Sequence, residues 1–320
     1  MISVVIATKN RSEAVSDISL PSLLRQDVAN FEILIWDASD DELTKEAVDR
    51  RRSLFEEREI ALLYRRAPRV GLASQRNDAL LEAKGDIVFF IDDDSEVSSD
   101  GLRSIDRHFS DFGRLMGLGL PLTSDEPSVA GRYAKRPVVG AARGVIRFFF
   151  RGAKCSYRKI RNSTMNIFTS ADRPGVAEWL TGASMAFRKS VFEKLRFDER
   201  LELFGGYAFG EDYDLSHRVF LHYKEPLLIA SSGFVVHHPA KGGRIADNGK
   251  KAAAMFYNTA VIRTNFRKYG NYGLLSFIWE LRFGLIISMF EQGMAAADIC
   301  RGYFLYRRAL REQRRSIEKP

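Results

Sequence analysis

Hydrophobic residues in the first third of the chain come in short, nearly continuous runs, at residues 2–7, 31–36, 60–64 and 87–91. Runs that do not alternate with polar positions predict strands covered on both faces, as in a parallel sheet. Between them lie segments of helical character, at residues 12–25, 41–58 and 72–83, the last stopped by Gly85. Strand and helix repeated in this order predict a doubly wound, mainly parallel α/β sheet with right-handed crossovers. From 101 to 177 the pattern is irregular, although 138–160 reads as a helix with Arg143, Arg147 and Arg151 at four-residue spacing. Beyond Ala252 the chain reads as helical to its end. Residues 274–290 are apolar, but Glu280 and Arg282 stand in their middle. A central charge costs about 2.5–3.5 kcal/mol on insertion, so a packed or interfacial helix is expected there, not a span.

Charge alters this picture in two places. The net charge is +8, yet no Asp or Glu occurs between Pro127 and Ala171, a stretch holding ten Lys and Arg from Arg132 to Arg161. The rest of the chain is slightly negative, so the protein is near neutral with a basic arm at 127–171. Tyr133, Phe148 and Tyr157 interleave with the basic residues, which suits an anionic membrane surface or a polyanion. Near the end, Arg307, Arg308, Arg311, Arg314 and Arg315 fall along one helical side, and near anionic lipid each such residue contributes about 1 kcal/mol. A chain of 320 residues can bury a large core. Cys155 and Cys300 form neither a metal-spacing pattern nor a disulfide framework, which predicts a reducing compartment. Met1-Ile2-Ser3 runs straight into a strand, so no secretory leader is expected.

The densest chemistry lies where the 87–91 run ends in Asp92-Asp93-Asp94. Ligands of open α/β sheets bind beyond the carboxyl ends of the strands. Three carboxylates gathered there repel one another unless a cation intervenes, and clustered oxygens suit Mg2+ or Mn2+ shared with substrate phosphates. The first strand leads into Ala7-Thr8-Lys9-Asn10-Arg11, not a glycine-rich turn, and no Gly-Lys-Ser/Thr loop exists. This argues against a nicotinamide-type Rossmann enzyme and against a P-loop NTPase. The missing turn also argues against a sugar nucleotidylyltransferase.

The pieces Val4-Val5-Ile6-Ala7-Thr8-Lys9-Asn10-Arg11, Trp36-Asp37-Ala38-Ser39-Asp40 and Gly71-Leu72-Ala73-Ser74-Gln75-Arg76-Asn77 are followed by three more. These are Ile91-Asp92-Asp93-Asp94, Trp179-Leu180-Thr181-Gly182-Ala183-Ser184 and Gly210-Glu211-Asp212-Tyr213-Asp214-Leu215. Six motifs in this order make the chain resemble the family 2 glycosyltransferases of the GT-A fold over most of its first 240 residues. The resemblance implies a domain at 1–245, with a nucleotide-binding half at 1–100 and an acceptor-binding half at 101–245. A basic helical region at 246–320 follows it.

By that resemblance Ala7, Thr8 and Asp37 hold the nucleotide base, and Arg76 lies near the diphosphate, which a guanidinium fork suits. Asp94 ligates the metal, while Asp92 or Asp93 touches the ribose or a metal-bound water. A ring nitrogen of the His237-His238 pair, assigned to His238 with the choice left open, completes the metal shell. Asp212 is the general base, and Glu211, its acidic partner, is an acceptor-binding residue. Trp179 and Gly182 line the acceptor side, where an indole face stacks on sugar rings. The implied activity is metal-dependent, inverting transfer of a sugar from a nucleotide-diphosphate donor, UDP- or dTDP-linked by preference, to an acceptor hydroxyl. The basic segments point to a glycan or lipid-linked acceptor at the cytoplasmic face of a membrane, without nucleic acid. The competing reading is a non-catalytic polyanion- or nucleic-acid-binding protein on a degenerate fold. Retention of both acidic clusters argues against it.

Overall fold

A computed structural model of the protein describes residues 1–124, 175–204, 209–240, 247–269, 289 and 294–317. The four apolar runs form β1 (Ile2–Thr8), β2 (Phe31–Asp37), β3 (Ala61–Arg66) and β4 (Ile87–Asp92), all parallel. The larger sheet continues through β6 (Gly117–Gly119), β8 (Gly175–Ala177), β9 (Met185–Arg188) and β10 (Leu227–Ile229), in the order β3-β2-β1-β4-β9-β6-β10-β8. β9 runs antiparallel to both β4 and β6. A small second sheet, β5 (Ser95–Val97), β11 (Val235–His237) and β7 (Leu122–Ser124), carries no periodic signal in the sequence. Its strands are three residues each, too short to show a period.

Both faces of the large sheet are covered, as continuous apolar strands require. Val5, Leu34, Val88 and Phe90 face one core, closed by α4 (Leu72–Glu82), α6 (Glu211–Tyr223) and α7 (Asn248–Arg267). Val4, Ile6, Ile33, Ile35, Phe89 and Ile91 face the other, closed by α3 (Leu43–Glu56) and α5 (Gly101–Asp111). The helix expected at 12–25 is interrupted. α1 (Ser12–Ala14) and α2 (Leu20–Leu24) flank a π-helical turn at Val15–Ser19, next to Pro21, which has no N–H to donate. Gly85 does more than stop α4. A Cβ there would lie 2.7 Å from Met1 O and Ser3 N, so glycine admits the close approach that starts β1 beside β4.

α8 (Ala296–Ile317) packs on α7 at Gly302, where an added Cβ would stand 2.5 Å from Ala252 Cβ. Among the described residues no helix is long and apolar enough to cross a membrane. The basic arm at 127–171, the helix expected at 138–160 and the apolar segment at 274–290 apart from Met289 lie outside the described residues.

Candidate active site

The carboxyl ends of β1, β2 and β4 lie level, because Thr8 pairs with Asp37 and Ala7 with Asp92. β1 stands between β2 and β4, and the chain order reverses there. That reversal opens the crevice in which ligands of such sheets bind.

The three carboxylates that follow β4 turn different ways. Asp93 accepts Thr8 Oγ1 at 2.7 Å and Arg11 Nη1 at 2.9 Å. Burial pushes it up to about 6, against the pull of Arg11. Asp92, Asp94 and His237 place ligand atoms within 4.8 Å of one another. Asp94 Oδ2 accepts the Ala240 amide at 2.9 Å, and Oδ1 lies 3.1 Å from His237 Nε2. Burial alone would raise Asp94, but His237, the Ala240 amide and Arg11 outweigh it and hold the carboxyl below its usual range. Asp94 Oδ1 is buried and accepts no aligned hydrogen bond. A divalent cation among these three residues would satisfy that oxygen, and two carboxylates with an imidazole are a donor set that fits Mn2+ or Mg2+.

The histidine in this group is His237, whereas the sequence pointed to His238. His238 Nε2 meets Glu96 Oε2 at 2.9 Å, and Glu96 in turn takes Arg25 Nη2 at 2.7 Å. Successive residues along extended chain face opposite sides, so adjacent histidines cannot both enter one site.

The acidic pair opens α6, entered through Gly210 at φ 81°, a left-handed conformation that glycine adopts freely. Asp212 Oδ2 accepts the Gly182 amide at 2.8 Å, and its Oδ1 accepts the Tyr213 amide at 2.7 Å. Burial pushes Asp212 up, with Asp92 adding to the rise and the two amides and Arg76 opposing it. Glu211, 5% exposed, is raised by burial and by Asp212 although it accepts Arg76 Nη1 at 2.8 Å. Asp214 leaves the pair and faces inward to Arg218 Nη2 at 2.6 Å and Asn265 Nδ2 at 2.9 Å.

Three other expected residues are enclosed by the protein's own side chains. Arg76 is 1% exposed and turns into the protein, donating to Glu211, to Asp92 Oδ1 at 3.1 Å and to Gly182 O at 3.2 Å. Asp37 is fully buried. It accepts the Ser39 amide at 2.8 Å, the Ser39 hydroxyl, the Tyr64 hydroxyl at 2.7 Å and Arg66 Nη1 at 3.3 Å. Trp179 is a core residue, edge-on to Tyr213 with ring centroids 5.8 Å apart. Gly182 does lie at the crevice, where a Cβ would press within 3.3 Å of Arg76 Nη2 and of Asp212 Cβ.

Two residues with site roles stood inside the quoted motifs without any assignment. Arg11 bridges Asp93 and Asp94, and its Nη2 reaches Ala240 O at 3.3 Å. Gln75 Nε2 ties Thr8 O at 3.0 Å to Trp36 O at 2.8 Å, fixing the ends of β1 and β2 together. Their place within the motifs was the available signal.

The sequence profile of Glycosyl transferase family 2 matches residues 3–196. The chain belongs to glycosyl transferase family 2. Its fold is that of the GT-A glycosyltransferases. It is similar to Staphylococcus aureus TarS 1-349 in complex with UDP-GlcNAc, at TM-score 0.54 and 15% identity over 84% of this chain and 67% of that one. It is similar to the Pyrobaculum calidifontis mannosyltransferase PcManGT in complex with GDP-Man and Mn2+, at TM-score 0.51 and 16% identity over 94% and 72% of the two chains. GalNAc-T7 with UDP, GalNAc and Mn2+ is matched at TM-score 0.52 and 15% identity over 93% and 57%. At such identities the likeness is one of fold. No curated protein matches this family 2 chain.

Proposed function

We propose that this family 2 chain is a metal-dependent, inverting glycosyltransferase. It moves a sugar from a nucleotide-diphosphate donor, UDP- or dTDP-linked by preference, to an acceptor hydroxyl on a glycan or lipid-linked carrier. One observation carries the reading: the Asp92/Asp94/His237 group and the Gly182-tethered Asp212 share one crevice, joined through Arg76. The structural neighbours are complexes with UDP-GlcNAc, UDP and GDP-Man, two of them with Mn2+, which supports a nucleotide donor and Mg2+ or Mn2+.

Asp212 takes the proton of the acceptor hydroxyl as its oxygen bonds to the anomeric carbon and the bond to the nucleoside diphosphate breaks. A carboxylate raised by burial is the stronger base, and a single displacement inverts the centre. Glu211, buried beside Asp212 and bonded to Arg76 Nη1 at 2.8 Å, lies on the acceptor side with Gly182. A metal held by Asp92, Asp94 and His237 would, when bound, neutralise charge on the departing diphosphate. Thr8, Ala7 and Asp37 form the floor beneath the base. Residues 1–245 make up the transfer domain in this reading, and 246–320 a basic region that rests on anionic lipid at the inner face of the cell membrane.

The test is a thermal-shift panel of UDP, dTDP and GDP with and without Mn2+, on the parent and on Asp94→Asn. At a hundred times Kd a ligand stabilises by about 2.7 kcal/mol. A Mn2+-dependent shift with one nucleotide, lost in the variant, is expected. No shift with any of them overturns the proposal.

A further inference from the structure

Arg76 is among the largest fully buried side chains of the described residues, and its surroundings are not those of a phosphate ligand. Its guanidinium carbon lies 5.5 Å from the Phe197 ring centroid and 6.0 Å from that of Phe90, so aromatic rings close it off on one side. Its N–H groups meet three acceptors: Asp92 Oδ1, Glu211 Oε1 and Gly182 O. These belong to different parts of the crevice. Asp92 is one corner of the candidate metal group. Glu211 and Asp212 open α6. The Gly182 peptide accepts from Arg76 through its carbonyl, while the Gly182 amide donates to Asp212. One rigid, planar cation on α4 thus grips the metal side and, by two routes, the base side.

We propose that Arg76 is a positioning residue that sets the spacing between the Asp92/Asp94/His237 group and Asp212, and that it does not touch the donor diphosphate. With Asp92 Oδ1 engaged by Arg76 at 3.1 Å, the guanidinium restrains a carboxylate that is one corner of the metal group. Groups behind a metal ligand orient it, and their loss costs about 10–100-fold in metal affinity or activity. Gly182 belongs to the same device, because a side chain there would press on both Arg76 and Asp212. A lysine cannot reproduce the fork, since its three donors sit on one atom. The inference rests on the proposed function for what the spacing accomplishes, but not for the grip itself.

The experiment measures Kd for Mn2+ alone and for UDP with Mn2+ by calorimetry, on the parent, Arg76→Lys and Arg76→Met/Glu211→Gln. The double variant removes the partner that would otherwise be a buried unpaired charge, and so guards against simple unfolding. Kinetics with whichever nucleotide sugar turns over supply kcat and donor KM. Arg76→Lys is expected to weaken Mn2+ by about tenfold and to lower kcat by about a hundredfold. UDP affinity at saturating Mn2+ and donor KM are expected to stay within about threefold of the parent. UDP binding weakened tenfold or more with Mn2+ affinity unchanged makes Arg76 a diphosphate ligand and overturns the inference. Lower melting temperature with unchanged Mn2+ affinity and kcat also overturns it, leaving Arg76 a packing residue. A parent that binds neither Mn2+ nor UDP brings down the proposed function as well. A parent that binds both while Arg76→Lys keeps its Mn2+ affinity brings down only this inference.

Discussion

Asp94 and His237 come from β-strand ends more than a hundred residues apart in sequence, and the backbone clamps them together. The His238 amide donates to Asp94 O at 2.9 Å and the Ala240 amide to Asp94 Oδ2 at 2.9 Å. Three carboxylates in a row raise the expectation of a cation site from sequence alone, but His237 and His238 are indistinguishable there. Only the pairing of His237 with Ser95 in the second sheet decides which ring faces Asp94. Calorimetric titration with Mn2+ checks this: His237→Ala is expected to weaken binding at least about tenfold, and His238→Ala less than about threefold. A second residue-scale effect lies at His217. Its ring is edge-on to Phe266 at 4.6 Å and parallel to Tyr213, with Nδ1 3.1 Å from Glu178 O. Burial holds the imidazole at about 4, below its usual 6.5. Below pH 6.5 the unfolded chain takes up a proton that the folded chain refuses until pH 4. Stability present above 6.5 is therefore lost across that window, by about 3 kcal/mol. His217→Phe keeps the ring contacts and removes the proton site, so its urea midpoint should fall less than the parent's between pH 7 and pH 4.5. Equal falls would show that His217 does not carry the effect.

At the scale of elements, β1 to β4 and the helices between them follow from local pattern. Their apolar runs are nearly continuous, and the burial of β1, β2 and β4 along almost their whole length leaves no polar register to mistake. Not every helix end is set locally. α4 has no side-chain cap of its own at Gly71, and Ser74 N donates instead to Glu202 Oε1 at 2.7 Å from the 3-10 turn Glu199–Glu202. Such a cap is invisible in sequence because 128 residues separate its two halves. The α7–α8 crossing depends on one missing side chain. At Gly302 a Cβ would also stand 2.8 Å from Ala253 N and Gly249 O, backbone atoms that cannot step aside. Gly302→Leu should therefore destabilise by about 1–3 kcal/mol or more through overpacking. Denaturant unfolding monitored by circular dichroism measures the loss, and an unchanged midpoint would mean the helices separate freely there.

Across the whole molecule, a polar network ties α7 to α6 and to the chain around Asp198–Phe209. Asn265 donates to Asp214 Oδ1 and to Asp198 Oδ2, and accepts Arg200 Nη2 at 2.9 Å. Asn258 Nδ2 holds Leu201 O at 2.8 Å and Phe209 O at 3.1 Å, on either side of the segment that leads to Glu211. Outside this join, α8 presents Phe304, 73% exposed, with Arg307, Arg308 and Arg311 also exposed. A basic face with an exposed aromatic suits an anionic bilayer. Co-sedimentation with phosphatidylserine-containing vesicles should fall on the order of a hundredfold when the three arginines become serine, at about 1 kcal/mol each. Binding that survives this change and 0.5 M salt would rule out the electrostatic docking proposed for α8.

The order of apolar runs and acidic motifs along the chain determined the α/β class, the helices between strands and the carboxylates at the end of β4. Each of these rests on neighbours within a few residues, where backbone period and charge crowding act directly. Tertiary structure alone decided that Arg76 turns inward to join Asp92 with Glu211, that Asp37 is enclosed by Tyr64 and Arg66, and that Trp179 packs in the core. It also decided that His237 and not His238 meets Asp94. A long side chain goes where distant strands and helices leave an acceptor or a cavity, and that placement depends on contacts made across the whole fold.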